Sequence, residues 1–194
     1  KVPANIAMTL HGFAPMQVSK PFVLFVGPTK SGTTWIHSYL EGRPEVAMPQ
    51  EVKETFYFDK RHENGFDWYQ GLFNVTDQTK LMVEVAPSLF HKPLARERVA
   101  ERIPAAKIIC TVRDPFDRAV SHYFHYRKRG VEAMSLLEMA ERHPAVVEAG
   151  LYEKHIRAWE DLFGAAQVYT LSYSLLRENP VEFCRQVCEI LEID

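Results

Sequence analysis

The sequence predicts an α/β domain in which helices flank a central, mostly parallel β-sheet. Four short apolar runs of about strand length recur along the 194 residues, at 22–26, 81–85, 107–112 and 168–173. None of them alternates cleanly between apolar and polar residues, which is typical of strands buried on both faces. Helical patterns lie between the runs, and strands that alternate with helices imply crossover connections and parallel pairing.

Composition agrees with a single globular domain over residues 1–194. Hydrophobic residues make up 46% of the chain and charged residues 25%, close to the average for such proteins. With 23 Lys and Arg against 25 Asp and Glu, the net charge of −2 provides no general basic field for nucleic acid. No apolar stretch approaches the roughly 20 residues of a membrane span. An anion must therefore be held by a local site.

The first strand leads through a short loop into a helix that is predicted to start near Thr33. The segment 48–73 is rich in aromatic and charged residues without clear periodicity, and is predicted to be a long loop with a short helix. Long loops often carry functional sites. Its aromatic residues are predicted mainly to pack in the core or against the loop itself.

Two later helices are marked by their first residues. From Pro115 onward, apolar residues fall on one helical face that we expect to be buried: Phe116, Ala119, Val120, Tyr123 and Phe124. The last helix is predicted to begin at Asn179, with Pro180 in the first turn and Glu182 at the capping-box position. Its predicted buried stripe is Phe183, Cys184, Val187, Cys188 and Leu191.

The run from Phe25 to Trp35 combines a buried strand, a glycine-containing turn and a helix start. Backbone N–H groups at such a turn bind phosphate or sulfate without a metal ion. Gly32 permits an anion to approach the backbone closely, and Lys30 adds a positive charge. Further hydroxyl donors are Ser31, Thr33 and Thr34.

This turn is P-loop-like but departs from a Walker A loop. Gly27 and Gly32 have the Walker A spacing, whereas Thr33 occupies the lysine position and the lysine lies at position 30. A Mg²⁺-dependent kinase or NTPase would also need an acidic residue at the end of a second strand, where this chain has Arg113. Such an enzyme is one alternative, and a nucleotide-binding module without turnover is another.

The motifs resemble those of a known family. The run Lys-Ser-Gly-Thr-Thr-Trp at 30–35 is similar to the 5′-phosphosulfate loop of sulfotransferases that use 3′-phosphoadenosine 5′-phosphosulfate (PAPS). Arg113 ends a strand, and Ser121 follows eight residues later on a helix, which resembles the family's 3′-phosphate site. Residues 53–59 resemble a segment of the heparan-sulfate-type, or carbohydrate, sulfotransferases whose glutamate is the catalytic base.

The resemblance implies an enzyme that transfers a sulfuryl group from PAPS to an acceptor hydroxyl or amine, with a carbohydrate as one candidate acceptor. The implied catalytic residues are Lys30 and Glu54, with His62 as the next candidate base. The implied PAPS-binding residues are Lys30, Ser31, Gly32, Thr33, Thr34, Trp35, Arg113, Ser121 and Tyr173. No metal is expected, since His122 and His125 have no acidic or cysteine partner at a recognised spacing.

Further expectations concern the surroundings of the enzyme. The acceptor is expected to be a small molecule or a glycan, and the basic run 127–129 is open to contact with an anionic acceptor as well as to a simple helix-end role. Few cysteines favour the cytoplasm, with the Golgi lumen as the alternative. Family members continue into a basic loop that closes over the cofactor, and this segment is expected to be missing after Asp194.

Overall fold

The computed structural model describes residues 19–130 and 134–194. Within these ranges the chain forms five strands, nine α-helices and three short 3-10 helices. The strands are β1 (Phe22–Gly27), β2 (Val46–Ala47), β3 (Leu81–Val85), β4 (Lys107–Val112) and β5 (Val168–Ser172). The helices are α1 (Thr33–Leu40), α2 (Phe66–Gln70), α3 (Pro93–Arg102), α4 (Pro115–Lys128), α5 (Leu136–Arg142), α6 (Ala145–Glu148), α7 (Tyr152–Phe163), α8 (Tyr173–Glu178) and α9 (Pro180–Leu191). Residues 1–18 of the predicted domain lie outside the described ranges.

The five strands form one sheet in the order β2-β3-β1-β4-β5, and every pair is parallel. The predicted α/β class is therefore confirmed, as are the four predicted strands. The sequence did not predict β2, because its two residues are too few to show a pattern. In this order β1 lies at the centre, with β3 on one side and β4 on the other.

The central strand β1 is buried along its whole length. Leu24 and Val26 lie on one face of the sheet, in the same apolar cluster as Trp159 of α7. Val23 and Phe25 lie on the other face, in the cluster that includes Phe183 of α9. Burial on both faces explains why the strand shows no alternation, and each large side chain contributes about 1.5–3 kcal/mol of hydrophobic stabilisation.

Helix α9 begins as predicted. The side chain of Asn179 accepts a hydrogen bond from the backbone N–H of Glu182 at 3.1 Å, which satisfies one of the free donors at the helix start. The buried residues of the helix are Phe183, Val187 and Leu191. Cys184 and Cys188 are only half-buried, so the predicted stripe is narrower than expected.

The predicted buried face of α4 is wrong. Phe116 and Phe124 are 67% and 58% exposed, whereas the buried residues of this helix are Arg118 and His122. The inner side of α4 packs against α6, where the guanidinium of Arg118 donates to the backbone carbonyl of Val146. The same side of α4 continues along a polar cavity, so polar side chains are buried there, while the predicted residues Ala119, Val120 and Tyr123 are only half-buried.

The segment 48–73 is a long loop with the short helix α2, as predicted. Five of its aromatic side chains are buried in the core: Tyr57, Phe58, Phe66, Tyr69 and Phe73. The rings of Tyr57 and Tyr69 stack with their centres 4.6 Å apart. Among the described residues, no helix has both the length and the apolar composition to cross a bilayer.

Candidate active site

A cavity of about 760 Å³ opens where the carboxyl ends of β1 and β4 lie side by side. Sites in parallel sheets form at this edge, since the loops that follow neighbouring strands converge there. The structure places nearly all the sequence-predicted site residues around this one cavity. Those that line it are Lys30, Gly32, Thr33, Thr34, Trp35, Glu54, Arg113, Ser121 and Tyr173.

The loop after β1 has the backbone of an anion-binding turn. Gly32 has a φ of +88°, and a Cβ there would come within 2.7 Å of Leu176. The positive φ therefore favours glycine, and any larger residue would also have to displace the side chains of Leu176 and Tyr173. Thr33 and Thr34 begin α1, so their backbone N–H groups have no partner within the helix and are available to an anion.

Ser31 differs from the other loop residues, since its side chain does not line the cavity. It is fully buried and lies next to the side chain of Tyr152. The hydroxyl of Tyr152 in turn donates to the backbone carbonyl of Arg113 at 2.6 Å. The side chain of Ser31 is therefore buried beside Tyr152 and is not among the groups that line the cavity.

Arg113 connects the two motifs. Its guanidinium donates to the backbone carbonyl of Lys30 at 3.3 Å and lies over the ring of Tyr173, with 4.8 Å between the guanidinium carbon and the ring centre. A guanidinium has five N–H donors, so most of them remain for a ligand. The aromatic contact orients this fork, which suits bidentate binding of a phosphate.

Positive charges crowd the cavity. Burial lowers the pKa of Lys30, and the nearby charges of Lys128 and Arg113 lower it further. Burial also lowers the pKa of Lys53, whose ammonium donates to the Thr34 hydroxyl at 2.6 Å. Cations that disfavour one another at close range are stabilised when a polyanion enters, so these residues fit a ligand with several negative charges.

Glu54 lies at the opposite wall of the cavity and is half-buried. Its Oε1 accepts hydrogen bonds from the hydroxyl and, at 3.1 Å, the backbone N–H of Ser88. Burial raises the pKa of this carboxyl group, although the Ser88 bonds and the charges of Lys92 and Lys53 oppose the shift. An oriented carboxylate with a raised pKa is a suitable proton acceptor.

Helix α4 forms a third wall through Ser121, His122 and His125. Burial, together with the charge of Arg118, lowers the pKa of His122 to about 4, so its imidazole is neutral at pH 7. Among the described residues, no group of three or more His, Cys, Asp or Glu side chains is arranged to hold a metal ion.

Sequence reasoning did not assign several residues that line the cavity. They are Lys53, Lys60, Ser88, His125, Arg129 and Arg177. Lys53 precedes Glu54 in a motif already singled out, and Arg129 ends the basic run 127–129, so both carried a signal. Ser88 ends the segment 84–88, which also resembles the family, and Arg177 lies four residues after Tyr173, so both were close to recognisable positions although no role was assigned to them. His62, the second candidate base, packs against Tyr57 and is not among the lining residues.

The buried histidines predict a pH dependence of stability. The pKa of both His91 and His122 is lowered to about 4, mainly by burial, whereas histidine in the unfolded chain titrates near 6.5. The unfolded chain therefore binds protons first as the pH falls. The raised pKa values of Glu54 and Glu84 act in the opposite direction and offset part of the effect. We expect the Tm to fall by roughly 5–15 °C between pH 7 and pH 4.5.

Differential scanning calorimetry across this pH range measures the effect. Since asparagine does not titrate, a His91→Asn variant should show a smaller pH dependence than the wild type. A Tm that stays constant down to pH 4.5, or an unchanged slope in the variant, would contradict the assignment of these histidines.

The fold and the cavity together define a class of protein. A parallel sheet whose first strand leads into an anion-binding turn, facing cationic side chains on a neighbouring strand end, is a nucleotide-binding α/β domain of the P-loop-like type. Residues 20–194 match the sulfotransferase domain family, and the chain belongs to that family. Membership decides against the kinase or NTPase alternative.

Several curated relatives of the chain are enzymes of heparan sulfate according to their names. The chain is 31% identical to bifunctional heparan sulfate N-deacetylase/N-sulfotransferase 1 of Xenopus laevis, over 89% of this chain and 22% of the relative. It is 29% identical to bifunctional heparan sulfate N-deacetylase/N-sulfotransferase 3 of Homo sapiens, again over 89% of this chain and 22% of the relative. The chain thus spans about one fifth of the length of these relatives.

Solved structures support the fold. A sulfotransferase from Alicyclobacillus acidocaldarius matches with a TM-score of 0.79 at 24% identity, over 91% of this chain and 83% of that chain. Mouse sulfotransferase SULT7A1, solved as a complex with PAP, matches with a TM-score of 0.61 at 19% identity, over 90% of this chain and 60% of that chain. The architecture described above is therefore that of sulfotransferases.

Proposed function

We propose that this domain transfers the sulfuryl group of PAPS to a hydroxyl or amine of an anionic carbohydrate. One observation carries the proposal: the loop 29–35, Arg113 and Ser121 line a single cationic cavity that also contains Glu54. The loop is suited to a 5′-phosphosulfate, and Arg113 with Ser121 is suited to a 3′-phosphate. A 3′-phosphate distinguishes PAPS from ATP, so this second subsite determines which nucleotide binds.

The nucleotide is proposed to lie between the two subsites. Lys30 and the N–H groups of the loop bind its 5′ end, while Trp35 and Tyr173 offer aromatic surface near the base. Trp35 is 38% exposed and stacks on Tyr39, with 5.4 Å between the ring centres. That support holds the indole ring at the cavity.

In the proposed reaction the acceptor oxygen or nitrogen attacks the sulfur atom, and the bond between sulfur and the 5′-phosphate oxygen breaks. The leaving phosphate gains negative charge, which Lys30 and the loop N–H groups stabilise. Glu54 takes the proton that the acceptor loses, and Ser88 orients its carboxylate. The products are the sulfated acceptor and 3′-phosphoadenosine 5′-phosphate (PAP), with the proton on Glu54.

The charge of the cavity supports an anionic acceptor. The described lining residues include six lysines and arginines but only one carboxylate, that of Glu54, although the whole chain has a net charge of −2. Lys30 and Arg113 are assigned to the nucleotide. Lys53 donates to the Thr34 hydroxyl of the nucleotide loop, and Lys60, Arg129 and Arg177 remain to bind acidic groups of the acceptor. A glycan of the heparan type, as in the names of the curated relatives, has this chemistry.

Titration calorimetry with PAP, ATP and adenosine 5′-phosphosulfate tests the donor assignment. Tight binding that needs the 3′-phosphate and no Mg²⁺ supports it, whereas Mg²⁺-dependent binding of ATP contradicts it. Turnover with radiolabelled PAPS and an N-unsubstituted heparan-type oligosaccharide then separates an enzyme from a binding module.

The cytoplasm is the proposed compartment, with the Golgi lumen as the alternative, and the three free cysteines agree with a reducing environment.

Replacing Arg113 by alanine tests the 3′-phosphate subsite. Loss of a charge-assisted phosphate contact should weaken the binding of PAP by about 1.5–3 kcal/mol, which raises its Kd about 10- to 150-fold. Adenosine 5′-phosphosulfate lacks the 3′-phosphate, so its Kd should change by less than about threefold. Calorimetry with both ligands makes the comparison within one variant. If both ligands weakened equally, Arg113 would act on the loop carbonyl of Lys30 and not on the 3′-phosphate.

A further inference from the structure

Glu84, in β3, is a charged residue in the core of the sheet that the proposed chemistry does not use. Its side chain is only 1% exposed, and burial raises the pKa of the carboxyl group. A buried carboxylate loses its hydration, which the interior replaces only in part. An apolar side chain of similar size would stabilise a sheet at least as well. The position therefore calls for a role beyond packing.

Three neutral donors surround the carboxylate. The backbone N–H and the hydroxyl of Thr55 donate to its Oε1 at 2.8 and 2.7 Å, and the hydroxyl of Tyr69 donates to its Oε2 at 2.8 Å. The N–H of Thr55 belongs to the peptide group that joins it to Glu54. The hydrogen bond to Glu84 therefore fixes the peptide plane directly after the Cα of Glu54.

Glu54 is held at both ends by one segment. Its backbone is anchored through Thr55 to Glu84, and its carboxylate accepts from Ser88, four residues further along. This segment consists of the end of β3 and the turn that follows it. Strand β3 pairs with β1, and β1 leads into the loop that carries Lys30. The two anchors thus connect the base to the same rigid sheet that presents the cation.

The backbone conformation of the loop that carries Glu54 also indicates that surrounding contacts fix it in place. Phe56, the next residue after Thr55, has a φ of +57°, which non-glycine residues rarely adopt. Such a conformation persists where the surrounding contacts determine it. The side chain of Phe56 lines the cavity beside Glu54, so the turn matters for the shape of the site.

We propose that Glu84 is a positioning residue for the catalytic base: it holds the peptide after Glu54 and so sets the direction in which that carboxylate meets the acceptor. The inference rests on the proposed function, in which Glu54 takes the acceptor proton. Glu84 itself is not among the residues that line the cavity, and it acts through Thr55.

A pair of substitutions tests the proposal. Glu84→Leu removes the acceptor of both Thr55 bonds while it fills most of the volume. We expect kcat to fall about 10- to 100-fold, as for a displaced catalytic group, while the Kd of PAP stays within about twofold. Glu84→Gln keeps an oxygen toward Thr55, so its kcat should stay within about threefold of the wild type. The assay uses PAPS and an N-unsubstituted heparan-type oligosaccharide.

Two readouts separate positioning from general destabilisation. In a Glu54→Gln background, Glu84→Leu should lower kcat no further, because the group that it positions is already absent. Amide hydrogen exchange should accelerate in residues 53–57 of Glu84→Leu and stay unchanged in residues 30–35. Additive losses in the double variant, or loss of PAP binding in Glu84→Leu, would overturn the proposal.

If Glu84→Leu does not fold, Thr55→Val removes one of the two donors and keeps the other. Its kcat should fall about 3- to 10-fold with PAP binding intact, and wild-type kcat together with wild-type exchange would overturn the proposal. The proposed function fails on different evidence. A wild type that does not bind PAP would refute the donor, and full turnover in Glu54→Gln would refute the base and with it the role of Glu84. In each case, amide hydrogen exchange in residues 53–57 shows independently whether Glu84 holds this part of the loop.

Discussion

Lys30→Ala is expected to lower kcat by at least about 100-fold while the fold remains intact. The ammonium of Lys30 lies in the loop after β1, where the 5′-phosphate is proposed to leave, and its charge acts mainly as that phosphate becomes more negative. Removal of the Lys30 ammonium should not reduce the free energy of unfolding. The pKa of Lys30 is lowered by burial and by the charges of Lys128 and Arg113, so the native state gains when this cation is deleted.

The measurement is single-turnover sulfuryl transfer together with thermal unfolding. Lys80→Ala is a matched control, since Lys80 is exposed and lies outside the cavity. The control should retain wild-type kcat. A near-native kcat in Lys30→Ala would remove Lys30 from its assigned role, and a Tm well below that of the wild type would indicate that the loop depends on it structurally.

Glu54→Gln is expected to lower kcat by roughly 10²- to 10⁴-fold, the usual contribution of a general base. The amide is nearly isosteric with the carboxylate and still accepts from Ser88, so the loop should keep its conformation. Affinity for PAP should be unchanged. Glu51→Gln is the matched control, because Glu51 is an exposed glutamate of the same loop.

The pH–rate profile gives an independent check on Glu54. Burial raises the pKa of this group, so the acid limb of kcat should lie above pH 4.5 and vanish in Glu54→Gln. Since the Ser88 hydrogen bonds lower the pKa, Ser88→Ala should move the acid limb to higher pH. A limb that persists in Glu54→Gln would assign the base to another group, and His125 is then the neighbouring candidate in the cavity.

Short sequence motifs predicted several features of the fold and of the site. The anion-binding turn lies within eleven consecutive residues, from Phe25 to Trp35, so its strand, glycine and hydroxyl groups are visible in order. The capped start of α9 at Asn179 is equally local. The two nucleotide motifs could be paired because parallel topology brings the ends of β1 and β4 together, and this topology follows from alternating strands and helices.

Predictions from the sequence failed for residues whose neighbours in the structure come from distant parts of the chain. Periodicity placed Phe116 and Phe124 inside, because a hydrophobic pattern shows which residues share a helix face but not what that face meets. Arg118 and His122 are inside since α4 borders a polar cavity and the carbonyl of α6. Ser31 was expected in the cavity by its place in the loop, yet its side chain is fully buried and is not among the lining residues.

By itself the sequence determined the α/β class, the anion-binding turn and the identity of the groups that carry charge, since these depend on spacing along the chain. The tertiary structure decided how those groups are held. Ser88 orients Glu54, Arg113 reaches Lys30 and Tyr173, and both Thr55 donors converge on a carboxylate 29 residues away. Such contacts depend on how strands and loops pack in three dimensions, because hydrogen bonds and burial act over a few ångströms regardless of distance in sequence.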